Sequence, residues 1–474
     1  LTNEPLYLCL DQGTHASRAL VLDARGAVVA RELVEVGIRR PREGFVEQDP
    51  EELVASLQTA AARAIAGVGE IAAAGLATQR SSIVCWDRDS GAALSPVLSW
   101  QDRRAAGWLE GFRDHAATVR AKTGLVLSPH YGASKLRWCL DHLPAVQAAR
   151  REGRLAFGPL SSFLSMRLCE ERPALADPAN AARTLLFDLR AFDWDDGLLA
   201  LFGVPRECLP RCVPSCHEFG RLHIDNRNIP LRLVTGDQSA ALFAHGMPRA
   251  DTAYVNLGTG AFVQRLAAHA PAGLLTGIVH HDSRGPVYVT EGTVNGAGAA
   301  LAWAARELAL PDLEARLDDL LGQSIEPPLF LNGIGGLGAP YWIADFPSRF
   351  VGGGTPESRA VAVAESIVFL LVANLERMPG GLARIVVSGG LSVHAGLCQR
   401  LADLAGVPVE RPGEHEATAR GLAFLLARPA QWPPIAAARF EPRSAPALAD
   451  RYRRWREAMT GALGGFAVSG GVDV

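Results

Sequence analysis

Lysine is almost missing from this chain: of 47 basic residues among 474, only Lys122 and Lys135 are lysine. A Walker-type phosphate loop sets its lysine directly after a glycine, and Ala121 and Ser134 occupy those preceding positions. A triphosphate would therefore be handled by backbone amides, hydroxyls, a divalent cation and arginine. Paired CxxC spacing is missing too. The densest cysteine cluster, Cys208, Cys212 and Cys216 followed by His217, is spaced by four with Pro210 and Pro214 between, so reduced thiols are expected rather than zinc. There is no basic excess: a net charge of −3 gives no reason to expect nucleic acid or an anionic membrane as partner. Long apolar runs are lacking as well. The best stretch, residues 360–375, is short and holds Glu365, and the N-terminus shows no basic segment followed by an apolar one. A cytoplasmic protein is the expectation.

What is present suits a globular enzyme. Hydrophobic residues make up 48% and charged ones 20%, and 474 residues exceed one ordinary core. Two domains are expected, 1–246 and 247–474, divided in the Gly- and Pro-containing stretch 244–251.

The most informative segment lies near the start. An apolar strand, Tyr7-Leu8-Cys9-Leu10, runs into Asp11-Gln12-Gly13-Thr14, and a second strand carrying Arg18 follows. Gly13 has access to backbone angles closed to other residues, which lets the turn aim N–H groups at an anion, while Thr14 adds a hydroxyl. Asp11, at the strand tip, is placed to hold a hydrated Mg²⁺ beside phosphates. The pattern recurs where the strand 252–257 ends in Gly258-Thr259-Gly260 and residues 261–264 return. Either turn alone also fits an ordinary hairpin; together they read as two related halves gripping one nucleotide.

Periodicity extends the frame. Strands are predicted at 6–10, 18–22 and 28–36, then a helix capped by Asp49 with Pro50 first and Leu53, Leu57, Ala61, Ala64 and Ile65 along one face, then a strand at 71–77. This β-β-β-α-β opening argues for a mixed sheet covered by helices. The second half repeats the layout with strands at 287–290, 329–331 and 385–388 and helices at 295–308 and 358–378. A last helix at 447–463 precedes a Gly-rich tail expected to fray.

Two motifs admit competing readings. Gly333 to Gly338 matches GxGxxG after a strand, but Pro340, Tyr341 and Trp342 follow where a helix N-terminus should cradle a pyrophosphate, so a dinucleotide site is not expected. Thr235-Gly236-Asp237-Gln238 follows a strand at 231–234, and Asp237 fits either a general base or a helix N-cap. Gln79-Arg80-Ser81, Trp100-Gln101-Asp102-Arg103 and Ser128-Pro129-His130-Tyr131 add polar groups suited to a hydroxylated ligand.

These residues carry a resemblance. Asp11-Gln12-Gly13-Thr14 with Arg18, Gly44-Phe45-Val46-Glu47-Gln48-Asp49-Pro50, Gln79-Arg80, Trp100 to Arg104 and Gly236 to Phe243 resemble the FGGY carbohydrate kinases, most of all the glycerol kinases among them. So do Gly258-Thr259-Gly260, Glu291-Gly292, Gly335 to Trp342, Glu365-Ser366-Ile367 and Gly389-Gly390. The likeness implies an α/β protein of two ribonuclease-H-like (actin-like ATPase) domains with ATP and substrate in an interdomain cleft. It implies ATP- and Mg²⁺-dependent phosphorylation of a primary hydroxyl of a small polyol or sugar, and a possible homodimer or homotetramer.

By the same resemblance Asp237 is the catalytic base and Asp11 the Mg²⁺ residue. Gly13, Thr14, Arg18, Gly258, Thr259, Gly298, Gly389, Gly390 and His394 lie along the nucleotide. Arg80, Ser81, Trp100, His130, Asp237 and Gln238 line the acceptor. Ser81 stands where glycerol kinases carry Glu, His130 where they carry a substrate Tyr, and His394 where an Asn nears the adenine. Losing one charge-assisted hydrogen bond costs about 1.5–3 kcal/mol, which leaves a larger polyol, a ketose or a non-catalytic nucleotide binder as alternatives to glycerol.

Overall fold

The strand Leu6–Gln12 is buried along all but its first residue, with Leu8 and Leu10 in the core. A near-continuous apolar run of this kind is stable only with neighbours on both edges and cover on both faces. It has them: Ala16–Asp23 pairs antiparallel on one side and Ile71–Thr78 parallel on the other. The full sheet runs Cys216–Ile224, Arg227–Gly236, Ile71–Thr78, Leu6–Gln12, Ala16–Asp23, Val28–Glu35. The structure, a computed structural model, describes residues 4–267, 269–323, 326–413 and 416–466.

The helix Pro50–Ile65 covers this sheet with the face its sequence predicts; Leu53, Leu57, Ala61, Ala64 and Ile65 are all buried. Asp49 caps it, its Oδ1 accepting from the Glu51 N–H at 3.0 Å. A helix from far along the chain, Ala417–Ala427, packs against Leu6–Gln12 and against the short helix Asp237–Ala241. Gly421 makes that approach possible, because a Cβ there would lie 1.8 Å from the Ala240 carbonyl oxygen.

Two compact units result. The first gathers residues 1–248, 277–288 and 415–434; the second gathers 249–276, 289–414 and 435–474. The second unit repeats the first unit's plan. Its sheet includes, in order, Gly285–Val294, Ala261–Leu266, Thr252–Leu257, Arg384–Ser388, Val409–Pro412 and Ala437–Phe440, with the Thr252–Leu257 and Arg384–Ser388 pair parallel. In both sheets three antiparallel strands lead into parallel ones, an order that needs helical crossovers.

The helix Pro356–Arg377 is longer than the apolar run the sequence suggested. It is long and apolar enough to cross a membrane, yet 94% of its most apolar window is buried within the fold. Glu365 explains its interior position: Arg451 and Arg400 both donate to its carboxylate, at 2.6 and 3.2 Å. The last helix, Pro446–Leu463, brings Arg451 there, and the tail after Phe466 lies outside the described residues.

Several elements begin elsewhere than predicted. The helix expected from 295 starts at Gly298, because Asn295 is used up in a bond to the Gly335 carbonyl. The glycines of the GxGxxG motif serve tight packing instead of a phosphate cradle. A Cβ on Gly333 or Gly338, the motif's first and last glycines, would meet the carbonyl of Phe346 or Thr293 at 2.1 or 2.4 Å, and the next helix starts only at Pro356.

Candidate functional site

In the first unit the turn after Leu6–Gln12 is closed by the Gly13 N–H donating to the Ala16 carbonyl at 2.9 Å. Gly13 does not use a positive φ, contrary to the expectation. What favours glycine is space, since a Cβ would lie 3.2 Å from that same carbonyl. Three buried or half-buried amides pin the turn. Gln12 Nε2 donates to the Gly13 carbonyl, Gln79 Nε2 to Gln12 Oε1 and Gln48 Oε1, and Gln48 Nε2 to the Thr14 carbonyl, at 2.6 to 3.1 Å.

Asp11 sits at the strand tip, 5% exposed. Arg18, its cross-strand partner in register, reaches only Oδ2, at 3.4 Å; Oδ1 is buried with no hydrogen-bond partner among the described residues. Burial, followed by the negative charge of Asp237, pushes the Asp11 carboxyl up to about 7. Glu416, just before the helix Ala417–Ala427, pushes the same way, and Arg18 opposes. The donor set therefore suits a divalent cation, which would relieve this crowding of carboxylates.

Asp237 is the first residue of the helix Asp237–Ala241 and does not cap it, which answers the open N-cap reading; Gly236 holds the cap position. One carboxylate oxygen accepts from the Gln238 N–H at 2.7 Å. Its pKa is raised by burial, with Arg80 and Arg183 pulling the other way. Arg80 donates to Gln238 Oε1, and its stem crosses Gly236 so closely that a Cβ there would lie 2.5 Å away. Glycine at 236 thus lets the arginine pass beside the aspartate.

Ser81 is buried at φ 65°, and its hydroxyl has no hydrogen-bond partner among the described residues. Trp100 Nε1 donates to Thr14 Oγ1 at 3.0 Å, while its ring meets His130 edge-on at 5.8 Å. Burial, then the charges of Lys135, Arg103, Arg183 and Arg80, hold His130 well below the usual imidazole range. The first unit therefore brings together Asp11, Gly13, Thr14, Arg18, Arg80, Ser81, Trp100, His130, Asp237 and Gln238.

The second unit gathers its own group. Gly258 N–H donates to Gly260 at 2.9 Å, and the Gly298 N–H, at the start of the helix Gly298–Glu307, donates to the Gly258 carbonyl at 3.0 Å. The Ala297 and Ala299 amides both reach the Thr259 carbonyl. Gly389, at φ 88°, lies against Leu257, whose carbonyl would be 2.5 Å from a Cβ. Gly390 begins the turn Gly390–Val393 with open space beside it. His394 follows, buried, with Nε2 lacking a hydrogen-bond partner among the described residues and Nδ1 3.7 Å from Asp318.

Residues 6–244 match the N-terminal domain, and 253–430 the C-terminal domain, of the FGGY family of carbohydrate kinases. The chain belongs to that family. It is an ATP-dependent kinase acting on a sugar or polyol. The kinase is 38% identical over 445 residues to the glycerol kinase of Leptothrix cholodnii, covering 88% of this chain and 89% of that one. It is similar to the solved Plasmodium falciparum glycerol kinase with ADP, with TM-score 0.88 at 23% identity over 97% of this chain and 98% of that one. A xyloylose kinase from Brucella ovis gives TM-score 0.86 at 24% identity over 97% and 99%. These structural likenesses carry the fold, two ribonuclease-H-like domains of actin-like ATPase type.

Sequence reasoning missed three parts of the kinase's first unit: Arg183, Lys135 and Glu416. Arg183 follows the helix Pro178–Ala181, whose Asp177 cap and leading proline were a readable start signal. Nothing local pointed to Glu416, whose place near Asp11 depends on a chain return of some 400 residues.

Proposed function

We propose that this kinase phosphorylates a primary hydroxyl of a small polyol or sugar, with Asp237 as base. The acceptor oxygen bonds to the γ-phosphorus as the bond from that phosphorus to the β,γ-bridging oxygen breaks. ADP leaves with the electron pair, and Asp237 takes the hydroxyl proton. The observation that carries this reading is the coupling of Asp237 to Asp11: two carboxylates close enough that the charge of one raises the pKa of the other, with Arg80 and Arg183 beside the first.

Asp11 would hold Mg²⁺, through its unpartnered Oδ1. When bound, the ion neutralises charge on the β- and γ-phosphates. Thr14, Arg18 and the amides of the Gly13 turn would orient phosphate oxygens; Gly258, Thr259 and Gly298 form the corresponding turn of the second unit and suit the same role. Gly389, Gly390 and His394 would lie along the nucleoside, the buried free Nε2 of His394 suiting an adenine edge. In this division residues 1–246 carry the acceptor side and the first phosphate turn, and 247–474 the nucleotide side and the second phosphate turn. Arg80, Ser81, Trp100, His130 and Gln238 would bind the acceptor.

A longer polyol or ketose is the second reading, favoured by the unpartnered buried hydroxyl of Ser81, which offers a bond to an extra substrate hydroxyl. Release of ADP over a panel of glycerol, tetritols, pentitols and ketoses decides between them. Clear preference for glycerol removes the second reading. Binding of ATP with no acceptor phosphorylated overturns both.

A further inference from the structure

Lys135 is 1% exposed, and its ammonium donates to three backbone carbonyls: Ser81 at 2.9 Å, Ser99 at 2.8 Å and His130 at 2.8 Å. An ammonium has three donors, and here all three are used. The acceptors come from three separate loops. Ser81 is itself a proposed acceptor residue, Ser99 immediately precedes Trp100, and His130 is the third. Residues 54, 36 and 5 positions away in sequence thus meet at one atom.

The choice of lysine is informative in a chain whose 47 Lys and Arg residues include just one other lysine, Lys122. A guanidinium is planar and directs its donors in a flat fork, whereas these carbonyls converge on one point, which a compact tetrahedral ammonium satisfies. Burying that charge is costly, and burial accordingly lowers the Lys135 pKa; Asp102, fully buried and held by Arg104 and the Val46 N–H, supplies a compensating charge. The cost is tolerated at a place where three loops have to keep a fixed spacing. One of them carries the left-handed backbone of Ser81, which a non-glycine residue keeps only when its surroundings hold it there.

We infer that Lys135 is the positioning residue of the acceptor site, one ammonium fixing Ser81, Trp100 and His130 relative to each other. Buried, with its three donors spent on backbone carbonyls, it has none left for acceptor or nucleotide. The inference rests on the assignment of those three residues to the acceptor, and its consequence is selective: loss of the ammonium loosens the acceptor's walls more than the first phosphate turn, to which Trp100 contributes one bond and the Gln12, Gln48 and Gln79 amides the rest.

The test is steady-state kinetics of Lys135→Ala on the best acceptor of the panel, with and without propylammonium, which replaces the missing side chain. The acceptor KM is expected to rise about ten- to a hundredfold, the size of one lost charged hydrogen-bond group, with the KM for ATP within about threefold of wild type. Propylammonium is expected to lower the acceptor KM again, and Lys135→Arg to stay impaired. Unchanged acceptor KM in folded Lys135→Ala overturns the inference, as does an equal rise in both KM values. If Lys135→Ala does not fold, Lys135→Gln, which keeps two donors, is expected to show a smaller rise with the same selectivity. Arg80→Ala is run beside them: an unaltered acceptor KM there refutes the acceptor assignment itself, separately from the role of Lys135.

Discussion

The indole N–H of Trp100 donates to the hydroxyl oxygen of Thr14 at 3.0 Å, joining a residue proposed for the acceptor to one proposed for the phosphates. The bond orients the hydroxyl, leaving its proton free to be donated toward an anion. Trp100→Phe keeps an aromatic ring on the His130 side and removes the indole N–H together with the smaller of its two rings. Loss of one neutral hydrogen bond is worth about 0.5–1.5 kcal/mol, so kcat/KM for ATP is expected to fall about two- to tenfold in initial-rate measurements.

Asp237→Asn removes the proposed base and keeps the side-chain shape. Turnover is expected to fall about 10²- to 10⁴-fold, with ADP affinity by calorimetry close to wild type. Unchanged turnover would exclude Asp237 from proton transfer.

Gly421→Ala sets two effects against each other. Alanine in a helix gains about 1 kcal/mol over glycine, but a methyl 1.8 Å from the Ala240 carbonyl forces the helix Asp237–Ala241 to move, and overpacking costs about 1–3 kcal/mol. The clash is larger, so a lower melting temperature is expected. Because the displaced helix carries Asp237, turnover should fall as well, by about a hundredfold for a shift near 1 Å.

His280 gives a pH dependence to stability. It is buried beside Asp282, with Arg284, Arg428 and the Cys216 thiol also facing it, and burial lowers its pKa from 6.5 to about 4. Between those values the unfolded chain binds the proton and the folded one does not. This part of the stability is present above pH 6.5 and is lost as pH falls toward 4, by about 3 kcal/mol in total. Asp282, whose pKa is also lowered, adds loss in the same direction at still lower pH. Urea midpoints across pH 4–7 should therefore slope less in His280→Gln than in wild type.

Glu365→Ala leaves Arg400 and Arg451 facing each other without their shared carboxylate. Breaking a buried pair from one side costs about 3–5 kcal/mol, and a marked drop in the thermal midpoint is the expected result.

Local pattern alone determined the strand Thr252–Leu257, the helix Pro50–Ile65 with its Asp49 cap, and the two Gly-Thr turns, because period and capping act within a few residues. It also supplied Asp11, Asp237 and Arg80, residue types whose chemistry is visible wherever they follow a strand. Local pattern was not enough for Gly13, where crowding and not backbone angle selects glycine, nor for the GxGxxG run, whose glycines answer to carbonyls of other segments.

Tertiary structure alone decided what those residues face. The helix Ala417–Ala427 packs on the helix Asp237–Ala241 through a close backbone approach of Gly421 to Ala240, Glu416 acts on Asp11 across nearly the whole chain, and Lys135 ties three loops that lie apart in sequence. The physical reason is range. Propensity and capping are settled by neighbours in sequence, whereas burial of charge and saturation of an ammonium depend on groups that become neighbours only when the chain folds.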